Sequence, residues 1–141
     1  MSSRIAIART DEEVSRCFPV MAELRPHLAA EGFVSQVSRL AHGAGLRLAY
    51  LSDGEVKAVA GFRISEWLAG GRYLEVEDLV SKAGERSKGY GGEMFDWLVA
   101  HARENGCAHV RLVSRVTRVD AHRFYVRKGM TLEAHYFSMA L

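Results

Sequence analysis

The sequence predicts a single α+β domain spanning residues 1–141, in which a mixed sheet carries helices on both faces. Three extended segments follow one another in the middle of the chain, two helices precede them, and a strand–helix–strand unit comes after a further helix. The predicted order is β-α-α-β-β-β-α-β-α-β. A chain of 141 residues that is 48% apolar can bury one core but hardly two.

The first 45 residues are predicted to form one short strand and two helices. Residues 4–8 alternate in polarity, and Thr10 caps a helix that begins with acidic residues and runs to about Leu24. The Arg25-Pro26 pair ends that helix. A second helix continues to Gly43 and presents one apolar face, formed by Phe33, Val37 and Leu40.

The centre of the chain is predicted to form an antiparallel meander. Its three strands cover residues 46–52, 56–65 and 73–81. Asp53-Gly54 is a strong hairpin signal, because glycine tolerates the positive φ of a tight turn. Gly70-Gly71 separates the second strand from the third.

The last third is predicted to alternate between helix and strand. Apolar residues recur at helical spacing over 90–105, and Asn105-Gly106 supplies a stop. A strand at about 108–114, a helix at about 119–128 and a last strand over 131–140 complete the order.

Composition limits the possible function classes. No stretch approaches the roughly 20 apolar residues of a membrane span, and the start of the chain shows no leader pattern. Cys17 and Cys107 lack CxxC spacing, so reduced, buried thiols are expected. These features predict a soluble, cytoplasmic protein that does not bind membranes. The net charge of +2 does not by itself indicate nucleic-acid binding.

The segment 85–92, Glu-Arg-Ser-Lys-Gly-Tyr-Gly-Gly, has the composition of an anion-binding loop. Its glycines leave backbone N–H groups uncovered at the positive end of the following helix, and Arg86 and Lys88 add charge. Two common phosphate motifs do not fit. Tyr90 stands where a Walker A loop needs lysine, and Met94 stands at the last glycine of GxGxxG.

Two motifs in this chain resemble those of the GNAT acetyltransferase superfamily. Arg86-x-x-Gly89-x-Gly91 is similar to its Q/R-x-x-G-x-G/A signature, and residues 121–130 are similar to its late A-x-x-F-Y motif. The resemblance covers about residues 70–130. It implies a GNAT-type, mostly antiparallel sheet, acetyl-CoA as cosubstrate and acetyl transfer to an amine. It also implies a coenzyme site formed by Leu79, Val80, Ser81, Arg86, Ser87, Lys88, Gly89, Tyr90, Gly91 and Gly92.

The chain departs from the family pattern at two positions. Ser87 replaces a glycine that often follows the first signature residue, which should matter little. Arg118 stands where relatives often carry an asparagine that contacts the coenzyme. An arginine at this position could reach a phosphate instead.

Three carboxylates on the third meander strand are candidates for the general base that amine acetylation requires. Strict alternation places Glu75 and Glu77 on one face and Asp78 on the other. By resemblance Glu77 is the first choice and Glu75 the second. A solvated strand face is the alternative interpretation for each of them taken singly. The resemblance also implies that Tyr125 gives a proton to the coenzyme sulfur.

Other interpretations follow from the same residues. The family fold could serve as a non-catalytic coenzyme A sensor, and the late arginines between Arg111 and Arg127 could indicate nucleic-acid binding, although no aromatic platform interleaves them. We expect no metal, because the histidines lack ligand spacing. The acceptor, a small-molecule amine or a protein amine, is not specified by the sequence. The family resemblance favours a homodimer.

Overall fold

The computed structural model describes residues 3–141 and divides them between two compact units, Met1–Arg111 and Leu112–Leu141. The first unit contains most of the regular structure. In chain order it comprises β1 (Arg4–Ile7), α1 (Asp11–Leu24), α2 (Phe33–Ala44), β2 (Arg47–Asp53), β3 (Glu55–Trp67), β4 (Gly71–Ser81) and α3 (Tyr90–Glu104). β5 (His109–Leu112) crosses the boundary between the units, and α4 (Val119–Arg127) belongs to the second.

The strands form one sheet in the order β1-β2-β3-β4-β5. β1 to β4 pair antiparallel as neighbours in sequence, which confirms the predicted meander and the α+β class. Gly54 makes the turn between β2 and β3 with a φ of 81°, a conformation that a residue with a side chain rarely adopts. The turn predicted at Asp53-Gly54 is therefore confirmed.

Helices cover both faces of the first unit's sheet. The core on one face joins α1 and α2 to the sheet through Val14, Val37 and Val59, with further buried residues around them. On the other face Phe62 of β3 packs edge-on against Trp97 and His101 of α3. Val59 and Phe62 are three residues apart in β3, so their side chains point to opposite faces.

Helix α1 begins as its sequence predicts. The Thr10 hydroxyl accepts a hydrogen bond from the Glu13 backbone N–H, and the Glu13 carboxylate accepts one from the Thr10 backbone N–H. The two bonds form a capping box. Cys17, on the buried side of α1, is fully enclosed, and burial raises the pKa of its thiol to about 12. Cys107 is only partly buried, and both cysteines are free.

The strand predicted over 131–140 is wrong. Residues 131–141 form neither helix nor strand, and every one of them is exposed. The segment has the residue composition of a strand, but a strand also needs a neighbour that satisfies its backbone N–H and C=O groups, and composition does not supply one. Large apolar side chains therefore remain in solvent, namely Leu132, Tyr136, Phe137, Met139 and Leu141.

Candidate active site

The amino end of α3 leaves its first backbone N–H groups without partners in the helix. Gly89 precedes the helix with a φ of 83°, and the first N–H that bonds within the helix is that of Glu93, which donates to the Gly89 carbonyl. No side chain among residues 3–141 caps the helix. The N–H groups of the first turn, at Tyr90, Gly91 and Gly92, are thus left to bind a ligand at the positive end of the helix dipole.

Ion pairs hold the preceding loop in place. Glu85 lies 2.6 Å from Lys57 Nζ and 3.0 Å from Lys88 Nζ, and these hydrogen bonds, Lys57 first, lower the pKa of Glu85 to about 2. The Arg86 side chain is 64% exposed; its Nε donates to the Ser81 carbonyl at 3.3 Å, and its Nη2 lies 3.7 Å from Glu23. The guanidinium of Arg86 is therefore available for a phosphate at the loop, and Ser87 and Lys88 are exposed beside it.

Two residues of the loop motif fix the helix to the sheet. Tyr90 is buried, and its hydroxyl donates to Asp53 Oδ2 at 2.9 Å, which raises the pKa of the phenol. An added Cβ on Gly91 would lie 3.0 Å from Ser81 Oγ, so helix and strand approach closely at this point. Tyr90 can thus serve a ligand only through its backbone, while its side chain anchors the helix.

The segment 79–81 lies beyond the reach of β5. The Ala108 N–H donates to the Arg72 carbonyl, which aligns the start of β5 with the start of β4. Four residues extend about 13 Å, whereas Ser81 lies nine residues from Arg72, about 30 Å along an extended chain. Leu79, Val80 and Ser81 pair with β3 on their inner side, and β5 does not cover their outer edge.

A β-bulge brings the three candidate carboxylates to one face. Asp78 pairs with Gly61 and Val76 with Phe62, so Glu77 has no partner in β3. Past the bulge, Glu75 pairs with Arg63. Gly61 and Arg63 are two residues apart and share a face of β3, and their partners Asp78 and Glu75 therefore share it too. The prediction that Asp78 lies opposite Glu75 is wrong, because alternation fails at a bulge.

Each of these carboxylates is paired with an arginine. Arg111 Nε donates to Glu75 Oε1 at 2.5 Å, and Arg25 Nε donates to Asp78 Oδ1 at 2.9 Å. Arg63 Nε lies 2.6 Å from Glu77 Oε2 but is not aligned for a hydrogen bond, so that contact is an ion pair only. Glu77 is therefore the carboxylate of the three that is least engaged.

The pairing arginines were missed at the sequence level, although one could have been found. Counting outward from the turn between Trp67 and Gly71 places Arg63 opposite Glu75. Arg111 is further enclosed between aromatic rings, with its guanidinium carbon 4.2 Å from the Trp67 centroid and 3.8 Å from that of Tyr73. Arg111 is thus engaged by Glu75 and by two aromatic rings, while 37% of its side chain stays exposed.

A cavity of about 290 Å³ opens beside the bulge. Glu77 and Asp78 line it from β4, and Arg25 and His27 line it from the segment after α1. The remaining lining is apolar apart from Gln36 and comes from α1, α2, the loop between them and the start of β2: Met21, Leu28, Phe33, Val37, Leu40, Leu46 and Leu48.

Tyr125 lies in the second unit, on α4. It is half-buried, its ring packs edge-on against Phe124, and burial raises the pKa of its phenol, which keeps the hydroxyl protonated at neutral pH. Its role as proton donor stays a prediction. Arg118 immediately precedes α4 and does not cap it through its side chain.

Two classes of feature are absent from residues 3–141. None of the helices there has the length and hydropathy needed to cross a membrane. Within the same range, no three His, Cys, Asp or Glu residues are grouped so that they could hold a metal ion.

The fold thus combines a meander sheet, a helix whose glycine-rich start has no side-chain cap within residues 3–141, and a bulged strand that carries carboxylates. The chain belongs to the acetyltransferase (GNAT) family, whose family model matches residues 7–130. It is 34% identical over 128 residues to the uncharacterized N-acetyltransferase YhdJ of Bacillus subtilis, a match that covers 89% of this chain and 90% of YhdJ.

Two further proteins are similar over different lengths. An aminoalkylphosphonate N-acetyltransferase of Salmonella typhimurium is 29% identical over 92 residues, which cover 64% of this chain and 60% of that protein. The aminoglycoside N-acetyltransferase AAC(6')-Iy, solved in complex with CoA, superposes with a TM-score of 0.83 at 11% identity, covering 100% of this chain and 97% of that one. This structural likeness shows the fold.

Proposed function

We propose that this protein is an acetyl-CoA-dependent N-acetyltransferase that moves the acetyl group directly to an amine. The observation that carries the proposal is the arrangement along β4 and α3. The bulged carboxylate Glu77 lies two residues before the segment 79–81, and the Gly91 backbone of the anion site packs against Ser81. The proposed base on β4 and the proposed phosphate-binding groups at the start of α3 therefore lie on elements that pack against each other.

The coenzyme would lie along the edge of β4 with its pyrophosphate at the start of α3. Backbone N–H groups of Tyr90, Gly91 and Gly92 would bind the phosphate oxygens, and Arg86 would add a charge-assisted contact. Backbone groups of Leu79, Val80 and Ser81 would bind the pantetheine arm. A main-chain donor there would also polarise the thioester carbonyl.

In the reaction, Glu77 accepts a proton from the acceptor ammonium, either directly or through water. The free amine attacks the thioester carbonyl, so that a C–N bond forms and the C–S bond breaks. Tyr125 then gives its proton to the departing thiolate, and the second proton, which the acylated nitrogen loses, restores the Tyr125 hydroxyl. Glu77 suits the role of base because its contact with Arg63 is not an aligned hydrogen bond, whereas Glu75 and Asp78 each accept a hydrogen bond from an arginine.

We also propose that the enzyme works in the cytoplasm, where acetyl-CoA is available, and as a homodimer. The free cysteines support a reducing compartment. The exposed apolar side chains of residues 131–141 support self-association, because burying them against a partner would remove apolar surface from water.

The direct test is a thiol-release assay with purified protein, acetyl-CoA and a panel of amines, with the acetylated product identified by mass spectrometry. We expect amine-dependent release of coenzyme A. Binding of acetyl-CoA with no turnover on any amine would contradict the proposal and favour the coenzyme sensor.

A further inference from the structure

We propose that the acceptor is a primary amine carried by an uncharged apolar chain or ring, bound in the cavity beside the β4 bulge. This inference rests on the proposed function and names the class of substrate for the same site. It follows from the difference between the two walls of the cavity.

The β4 wall is where the ammonium would bind. Glu77 and Asp78 are adjacent in sequence, and the bulge directs both toward the cavity. Arg25 is held by two hydrogen bonds, to Asp78 Oδ1 at 2.9 Å and to the Glu77 carbonyl at 3.0 Å. Its guanidinium therefore fixes this wall, while the Glu77 carboxylate, with its unaligned ion pair and partial exposure, can accept hydrogen bonds from an amine.

The α2 wall carries no charge. Three of the four α2 side chains that line the cavity are apolar: Phe33 and Val37 are buried, and Leu40 is half-buried, while Gln36 is polar but uncharged. A second ammonium placed against these side chains would lose its hydration without gaining a counter-ion. An alkyl or aryl group placed there would instead remove apolar surface from water. The cavity therefore selects against an acceptor with a second charge at its far end.

The test uses three amines of equal chain length that differ only at the far end: hexylamine, 1,6-diaminohexane and 6-aminohexanoate. We expect kcat/KM for hexylamine to exceed that of both charged analogues by about tenfold or more. The reason is that each analogue would place a charge without a counter-ion against the α2 wall. An equal or higher kcat/KM for the diamine or the amino acid would overturn the inference, even if the enzyme is an acetyltransferase.

A variant pair tests the location. Leu40→Glu places a carboxylate on the α2 wall, and Ser38→Glu places the same charge at a nearby exposed position of the same helix. We expect Leu40→Glu to lower kcat/KM for hexylamine about tenfold and to shift the preference toward the diamine. Ser38→Glu should retain the parent preference. A folded Leu40→Glu variant with the parent preference would place the acceptor elsewhere.

A measurement without turnover separates this inference from the proposed function. NMR titration of hexylamine and 1,6-diaminohexane into the parent protein reports binding whether or not acetyl-CoA reacts. Shifts at α2 for hexylamine that are weaker for the diamine support the pocket. No shift at α2 with hexylamine, or equal shifts with both amines, contradicts it.

Discussion

Among single residues, Glu77 has the most specific predicted role. Glu77→Gln should lower kcat by about 10²-fold or more and leave acetyl-CoA affinity unchanged, because the amide cannot accept the proton. The sharper measurement is the acidic limb of the kcat/KM pH profile, which should disappear in this variant.

Glu75→Gln is the matched control for Glu77→Gln. It weakens the contact with Arg111 on the same face of β4, so it should lower stability while keeping the acidic limb. An acidic limb that survives in Glu77→Gln would show that another group or water takes the proton.

Glu13 makes the stability of α1 depend on pH. Hydrogen bonds from the Arg9 N–H, the Tyr50 hydroxyl and the Thr10 N–H lower the pKa of its carboxyl from 4.5 to about 2. A carboxyl whose pKa is lowered by folding stabilises the fold above its ordinary pKa, and this contribution is lost as the pH falls toward the folded value.

Glu13→Gln should therefore lower the melting temperature at neutral pH, with the difference from the parent protein shrinking between pH 4.5 and about 2. Thermal unfolding across this range checks it. Glu12→Gln is the control, since Glu12 is exposed and makes only a 3.7 Å contact with Arg16. A Glu13→Gln difference that does not change with pH would contradict the assignment.

Among the secondary-structure elements, Gly61 in β3 leaves the space that the Asp78 side chain of the β4 bulge occupies. A Cβ at Gly61 would lie 2.3 Å from Asp78 Oδ2 and 3.3 Å from its Cγ, so Gly61→Ala must displace the carboxylate from Arg25. Combined with Asp78→Ala, the same substitution has no carboxylate to displace. We expect a coupling free energy of about 1 kcal/mol or more between the two changes in denaturant unfolding. Additive effects would mean that Asp78 moves aside without cost.

The elements themselves were largely predictable. Nine of the ten predicted elements form close to the expected bounds, because capping residues, glycine stops and polarity alternation act locally. Thr10 and Gly45 lie where α1 begins and α2 ends. The loop before α3 could likewise be predicted from its glycines and its charges.

The features that were not predicted correctly depend on residues that are distant in sequence. The bulge is set by the register of β4 against β3, and nothing in the local pattern around Glu77 reports it. The arginine partners of the carboxylates come from other elements for the same reason. The segment 131–140 has the propensity of a strand but pairs with no strand among residues 3–141.

At the scale of the whole molecule, residues 131–141 leave Leu132 88% and Phe137 89% exposed. We expect the protein to sediment as a dimer at micromolar concentrations and the Leu132→Glu/Phe137→Glu variant to sediment as a monomer. Val126→Glu, at an exposed apolar position on α4, should remain dimeric. A parent protein that is monomeric at all concentrations would contradict self-association through this segment.

The proposed function depends most on the start of α3, which is expected to bind the phosphates of acetyl-CoA. Gly89 has a positive φ, which asparagine and aspartate tolerate better than other residues with side chains, so Gly89→Asn and Gly89→Asp should both fold. The two variants differ only in charge.

The measurement is a calorimetric titration of acetyl-CoA into the parent protein and both folded variants. We predict that the parent binds and that Gly89→Asp binds at least about tenfold more weakly than Gly89→Asn. The reason is that like charges about 4 Å apart near a protein surface repel by about 1–4 kcal/mol. Absence of binding to the parent protein, or equal affinities of the two variants, would contradict phosphate binding at the start of α3.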